Sequence, residues 1–363
     1  MKVLVVDDSA FMRYVISKEL SADPALQVVG MARDGIDAIQ KIAQLKPDVV
    51  TMDLEMPRMD GLTAIERIMR EEPVPVILLS SLTQEGAAET IRGLELGAAD
   101  FVPKPSAFEA GSAEPVWRQL IAKVKEAGGL DGRRLKAGAA RAFRGHSEEA
   151  AQAKPAVSPG RGKPFKADRV VVVGTSTGGP RALFEVVPRL PANLPAALLL
   201  VQHMPSGFTK SLAHRLNDVS LLQVREAVEG DAIERGVALL APGDYHMAVR
   251  RGGRVSLEKS PPVHGVRPSV DVTMESAASV YGAATVGVVL TGMGTDGTSG
   301  AIAIRRGGGI VIAEDESTCV VYGMPRSVRE AGAVDRVVRL EAMADAIVDA
   351  VSASSTEVGA SAR

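Results

Sequence analysis

At 363 residues the chain is long enough for two domains, each able to bury a core of its own. Hydrophobic residues make up 46% and charged ones 24%, and the net charge is -2, so the electrostatic balance offers neither nucleic acid nor an anionic membrane as a partner. A single cysteine, Cys319, excludes an intrachain disulfide framework and suits a reducing compartment.

The chain opens Met1-Lys2-Val3-Leu4-Val5-Val6-Asp7-Asp8, where two acids end the apolar run after four residues. That falls far short of a signal-peptide core or a spanning helix, and no later apolar run approaches about 18 residues. The cytoplasm is therefore the expected compartment, with no membrane insertion. Cys319, in Ser-Thr-Cys-Val-Val, has no nearby His or Lys to lower its pKa and reads as a small packed residue rather than a nucleophile.

From Met1 to Lys125, short β-branched runs alternate with amphipathic stretches: Val3 to Val6, Phe11 to Leu20, Val28 to Met31, Gly35 to Leu45, Val49 to Met52, Leu62 to Met69, Val76 to Leu79, Ala87 to Leu96 and Phe101-Val102. Wholly apolar strands separated by helix-length segments predict a doubly wound α/β domain, a parallel sheet with helices on both faces. From Glu126 to Ala167 the periodicity gives way to Gly, Pro, Ala and Arg, which cannot bury enough apolar area to offset ordering, so a flexible linker is expected. No aromatic residues interleave with its basic ones, which argues against base stacking. A second α/β domain is expected over residues 168–352, with strands at Val170 to Val173, Ala197 to Val201, Val237 to Leu240, Val286 to Leu290 and Ile310 to Ala313. Residues 353–363 read as a disordered tail.

In a doubly wound sheet the loops after the strands meet at the carboxyl edge, where ligands bind. Asp7-Asp8 follow the first strand, Asp53 the third, Ser80 the fourth and Lys104 the fifth. Any one of these acids alone reads as a strand end or helix cap. Together they make a pocket whose carboxylates repel unless a divalent cation neutralises them, and hard oxygen ligands point to Mg²⁺. Asp53 can then accept a phosphoryl group as an acyl phosphate, with Lys104 and a hydroxyl balancing its oxygens.

Val-Val-Asp-Asp-Ser, Met-Asp-Leu-Glu-Met-Pro-Arg-Met-Asp-Gly and Phe-Val-Pro-Lys-Pro closely resemble the response-regulator receiver family. The resemblance implies a flavodoxin-like domain phosphorylated on Asp53, with Mg²⁺ held by Asp7, Asp8, Asp53 and the backbone of Glu55. It makes Ser80 the switch hydroxyl and Lys104 the residue completing the site. Ser80 is preferred over Ser81 because it directly ends the apolar run.

The second domain opens with Val170 to Val173 running into Gly174-Thr175-Ser176-Thr177-Gly178-Gly179-Pro180 and a helical stretch. Small residues around a serine at a strand-to-helix turn let its hydroxyl project while amides at the helix start face a developing oxyanion. The glycines do not match G-x-G-x-x-G and no Gly-Lys-Ser follows, so a phosphate loop is disfavoured, whereas a purely structural turn stays open. His203, in Val201-Gln202-His203-Met204-Pro205, stands beyond an apolar strand on the same edge and is the candidate base. His214 lies in a helical pattern, and His246 and His264 lie in turn-rich segments, which makes them weaker. Leu290-Thr291-Gly292-Met293-Gly294-Thr295-Asp296-Gly297 supplies an acid, Asp296, able to accept from the second ring nitrogen of His203. An Asx turn or helix cap is its plainer reading.

The order Ser, His, Asp differs from that of α/β-hydrolases. Gly-Thr-Ser-Thr-Gly-Gly-Pro, Gln-His-Met-Pro and Leu-Thr-Gly-Met-Gly-Thr-Asp-Gly together resemble the catalytic domain of chemotaxis protein-glutamate methylesterases. That resemblance implies a Rossmann-like serine hydrolase without a cofactor, acting on glutamate γ-methyl esters of methyl-accepting chemotaxis receptors and deamidating receptor glutamines. Ser176 would be the nucleophile, His203 the base and Asp296 its orienting acid. Amides near Met293 and the Ser176 loop would form the oxyanion site, with Thr177 in support. A chemosensory histidine kinase would be the phosphodonor, and a monomer is the default state. The receiver is expected to cover the Ser176 cleft until Asp53 is phosphorylated, the linker allowing reorientation. A DNA-contacting second half would need a helix-turn-helix and a basic face, which are not found. Another ester or amide substrate is not excluded by the residues alone.

Overall fold

Ten elements alternate through the first unit, whose contacts separate it at Ala151 from a second unit beginning at Gln152. The computed structural model describes residues 1–104, 113–129 and 167–357, so the linker expected at residues 126–167 lies almost wholly outside the described residues. In chain order the first unit runs β1 (Lys2–Val6), α1 (Ala10–Ser21), β2 (Gln27–Ala32), α2 (Gly35–Leu45), β3 (Val49–Asp53), α3 (Gly61–Glu71), β4 (Val76–Ser80), α4 (Gln84–Glu95), β5 (Asp100–Pro103) and α5 (Ala113–Ala127). The sheet order is β2-β1-β3-β4-β5, every pairing parallel.

Every residue of β3 and β4 is buried, as central strands of a sheet covered on both faces must be. Val3, Val5, Val49, Ile77 and Leu79 pack under Ile16, Leu20, Leu120 and Val124 of the covering helices. Each such side chain contributes about 1.5–3 kcal/mol relative to exposure. Helix starts are set by side-chain caps: Ser9, Asp34, Asp60 and Thr83 each accept an amide of the first turn. These caps sit in the loops after β1, β2, β3 and β4, so the turns that start the helices also shape the carboxyl edge.

The second unit contains β6 (Val170–Thr175), α6 (Gly179–Val186), β7 (Ala197–Gln202), α7 (Phe208–Val219), β8 (Gln223–Glu226), β9 (Val237–Leu240), β10 (His246–Arg250), β11 (Arg254–Glu258), α8 (Val270–Tyr281), β12 (Thr285–Val289), α9 (Thr298–Arg306), β13 (Ile310–Glu314), α10 (Met324–Glu330), β14 (Arg336–Val338) and α11 (Met343–Glu357). Seven strands form a parallel sheet in the order β14-β13-β12-β6-β7-β9-β8, and β10-β11 form a separate antiparallel hairpin. The chain builds outward from β6 through β7, then returns to the other side of β6 with β12. This reversal opens a crevice at the carboxyl ends of β6, β7 and β12.

Two details depart from the sequence expectation. His246, placed in a turn-rich segment, is the first residue of β10 and fully buried, its Nδ1 accepting the Ser269 amide at 3.2 Å. The last helix extends to Glu357, past the position where the tail was expected to start. Among the described residues no helix is long and apolar enough to cross a membrane.

Candidate active site and acidic pocket

At the carboxyl edge of the first sheet, Lys104 Nζ lies 2.7 Å from Asp53 Oδ2 and 3.1 Å from Asp7 Oδ2. Asp8, Asp53, Glu55, Ser80, Ser81 and Lys104 line one cleft. Burial pushes the Asp53 carboxyl above its usual range, outweighing the pull of Lys104. Burial alone would lower the Lys104 ammonium, but Asp53 and Asp7 hold it above its usual value. One lysine cannot neutralise three carboxylates. Ligand oxygens of Asp7, Asp8 and Asp53 lie within 4.8 Å of one another, and the buried Asp7 Oδ2 shares one cation, Lys104, with Asp53. This hard, under-neutralised oxygen set fits a divalent cation such as Mg²⁺. Ser80 ends β4 and ties its hydroxyl to α4, donating to Gly86 O at 3.1 Å and accepting from Thr90 Oγ1 at 2.5 Å. The hydroxyl of Ser81, in the next position, lies 3.2 Å from Thr83 Oγ1 instead.

In the second unit, β6 delivers Ser176, half-buried, into a turn held by backbone bonds. Its amide donates to Thr291 O at 3.1 Å and its carbonyl accepts the Gly179 amide at 2.8 Å. Gln202, the last residue of β7 and 2% exposed, clamps this turn. Its Oε1 accepts from Thr175 Oγ1 at 2.5 Å, and its Nε2 donates to Ser176 O at 2.9 Å and His203 O at 3.1 Å. Gly179 is required here, since a Cβ would stand 2.0 Å from Gln202 Oε1. A Cβ on Gly292 would likewise lie 2.7 Å from Ser176 Cβ, so the β12 turn can press against the nucleophile only as glycine.

His203 follows directly, its amide donating to Thr175 O at 3.1 Å and its side chain 9% exposed. Nε2 meets Asp296 Oδ2 at 2.7 Å. With a carboxylate on Nε2, that nitrogen carries the proton and Nδ1 is left as the acceptor. Asp296 is buried and its carboxylate is crowded with donors. Oδ2 also accepts the Val270 amide at 2.7 Å, while Oδ1 accepts Ser269 Oγ at 2.8 Å and the Asp271 and Gly297 amides at 3.0 and 3.1 Å. Val270 and Asp271 open α8, so the carboxylate faces that helix's positive end. Burial would raise its pKa, but His203 and the α8 amides outweigh it and hold the carboxyl below its usual range. A lowered carboxyl stabilises the fold above its unfolded pKa, and that contribution is lost as pH falls through the folded value.

Ser176, His203 and Asp296 are thus brought to one crevice. No hydrogen bond joins Ser176 Oγ to His203 among the described residues; backbone and Gln202 join their loops instead. Thr177 is 3% exposed and its carbonyl accepts Thr291 Oγ1 at 2.9 Å, so it braces the turn from below. Met293 is 49% exposed beside the Gly292 turn, and its amide has no acceptor among the described residues, leaving it available to an oxyanion. His214 is exposed on α7 near Asp218. His264 pairs with Asp271 at 3.0 Å, a second His-Asp contact within 4.8 Å of the Asp296 carboxylate.

Sequence reading missed Gln202 and Ser269. Gln202 carried a faint signal, a polar residue ending a fully apolar strand. Ser269 carried none, because its partner Asp296 is 27 residues away. Gln202→Ala is expected to lower kcat about tenfold and to destabilise by about 1–3 kcal/mol, since it removes the buried bonds that Gln202 makes to the Thr175 hydroxyl and to the Ser176 and His203 carbonyls. Denaturant melts and steady-state kinetics on one preparation check both effects.

Residues 171–347 match the family model described as CheB methylesterase, and residues 3–113 that of the response regulator receiver domain. A protein-glutamate methylesterase/protein-glutamine glutaminase of Symbiobacterium thermophilum is 51% identical over 351 residues, covering 96% of this chain and 97% of that one. One of the same name from Pyrococcus abyssi is 50% identical over 353 residues, covering 96% and 93%. The solved CheB methylesterase catalytic domain of Thermotoga maritima aligns at 48% identity with a TM-score of 0.49, covering 50% of this chain and 97% of that one.

Proposed function

Because the chain belongs to the CheB methylesterase family and carries a receiver domain, we propose that it demethylates glutamate γ-methyl esters, and deamidates glutamines, on methyl-accepting chemotaxis receptors, under control of phosphorylation at Asp53. The observation that carries the catalytic half is the 2.7 Å His203–Asp296 contact at the sheet edge that also presents Ser176. Ser176 Oγ attacks the ester carbonyl and His203 Nδ1 takes its proton. Asp296 holds Nε2–H and stabilises the imidazolium that forms. The Met293 amide and amides of the Ser176 loop receive the oxyanion. His203 then returns the proton to the departing methoxide oxygen, giving methanol, or to the departing amide nitrogen of a glutamine, giving ammonia, and water attacking through the same base releases the acyl-enzyme.

In the receiver, Asp7, Asp8 and Asp53 with the Glu55 backbone would hold Mg²⁺, which neutralises phosphoryl oxygens as they arrive. Lys104 Nζ supplies the remaining positive charge and Ser80 the hydroxyl that contacts the new phosphoryl group. A chemosensory histidine kinase would donate it, in the cytoplasm. The working division is a receiver at 1–125, a linker at 126–167, a catalytic domain at 168–352 and a tail at 353–363.

Methanol release from methylated receptor membranes tests the reading. Wild-type chain should release methanol, faster with a small-molecule phosphodonor. Absence of release with either condition would send the search to another ester or amide.

A further inference from the structure

Glu314 is the last residue of β13 and is completely buried at the edge where β12 ends. The mechanism above does not use it. Its Oε2 accepts the Thr291 amide at 2.8 Å, while Oε1 is buried without a hydrogen bond. Thr291 in turn holds the nucleophile's turn through its carbonyl and hydroxyl. Its carbonyl accepts the Ser176 amide at 3.1 Å, and its hydroxyl donates to Thr177 O at 2.9 Å and accepts the Val321 amide at 2.9 Å. Gly292, the next residue, packs on Ser176 Cβ and precedes the free Met293 amide. The carboxyl is therefore one peptide unit removed from both the nucleophile and the oxyanion turn.

We propose that Glu314 is a positioning residue for the hydrolase, fixing the Ser176 turn and the Gly292-Met293 turn together through the Thr291 amide. The proposal rests on the assignment of Ser176 as nucleophile. Complete burial favours its uncharged carboxyl, because ionisation would place a charge out of reach of water. Burial pushes its pKa up to about 7, with the Thr291 amide, Thr318, Arg181 of α6 and Cys319 the groups that face it and oppose the rise. A raised carboxyl pKa stabilises the fold below its unfolded value of about 4.3, and the contribution drains away as pH climbs toward the folded value.

Glu314→Gln keeps the acceptor and cannot ionise, whereas Glu314→Ala removes the acceptor. The measurements are methanol release, melting temperature at pH 5 and pH 8, and the rate at which a fluorophosphonate labels Ser176, which needs no receptor. The alanine variant should lose about tenfold in kcat and in labelling rate with KM within about twofold, and the glutamine variant should restore both to within about twofold. The glutamine variant should also gain melting temperature over wild type at pH 8 and not at pH 5. Equal labelling by all three chains, or an alanine variant that melts lower yet labels normally, would overturn the positioning role. Wild-type and glutamine variants with parallel melts at both pH values would overturn the uncharged state. Wild type that labels but releases no methanol would instead count against the receptor substrate, leaving the labelling comparison to decide Glu314.

Discussion

Replacing Ser176 with alanine is expected to lower kcat for methanol release by about 10⁴–10⁶-fold while leaving melting temperature unchanged. The substitution removes only Oγ, which has no hydrogen bond among the described residues, and keeps the Cβ that packs on Gly292. The amide bond to Thr291 and the carbonyl bond from Gln202 are untouched. Asp296→Asn should be milder on turnover, about 10³–10⁴-fold, because the serine and imidazole stay but the imidazole loses its orienting charge. It should be worse for stability, since an amide nitrogen would point donors at donors. The carboxylate accepts His203, Ser269 and the amides of Val270, Asp271 and Gly297, and an asparagine has one oxygen for them. The pair of variants thus separates chemistry from scaffolding. A serine variant that retained turnover would remove Ser176 as the nucleophile, and an asparagine variant as active as wild type would remove the triad.

The meeting of Ser176, His203 and Asp296, the proposed triad, was legible because topology does the work: each follows an apolar strand of one parallel sheet, and such strands end on one edge. The same logic assembled Asp7, Asp8, Asp53, Ser80 and Lys104. The competing reading of Asp296 as a helix cap was also partly right, since the carboxylate does hold the first amides of α8. Its two tasks are the same geometry, a helix start fixing a carboxylate that fixes a histidine. Strands such as β8 and β14 were illegible because they are short edges with exposed side chains; the three residues of β14 include none that is fully buried. The β10-β11 hairpin was missed for another reason, its apolar pattern being broken by Arg250-Arg251 and Gly252-Gly253 at the turn. Gln202, Ser269, Thr291 and Glu314 act by bonding backbone or carboxylate far away in sequence, and no local period encodes that.

Asp53→Asn is expected to abolish the response to a phosphodonor, and EDTA on the wild-type chain is expected to do the same. The reason is charge. A phosphoryl group adds about -1.5 to -2 beside carboxylates that already crowd one ammonium, with Lys104 Nζ at 2.7 Å and 3.1 Å from Asp53 and Asp7. Without a cation of higher charge the product would be repelled by Asp7 and Asp8, so chelation and loss of the acceptor must converge on one phenotype. The coupling this requires is modest. A hundredfold change in rate corresponds to about 2.7 kcal/mol of bias between an inactive and an active form, within the range of ordinary allosteric coupling. The check is methanol release with the donor, with and without EDTA and then with excess Mg²⁺ restored. Recovery of the donor response in wild type but not in Asp53→Asn is the expected result. Donor stimulation that survived both the substitution and the chelator would place the control elsewhere than this acidic pocket.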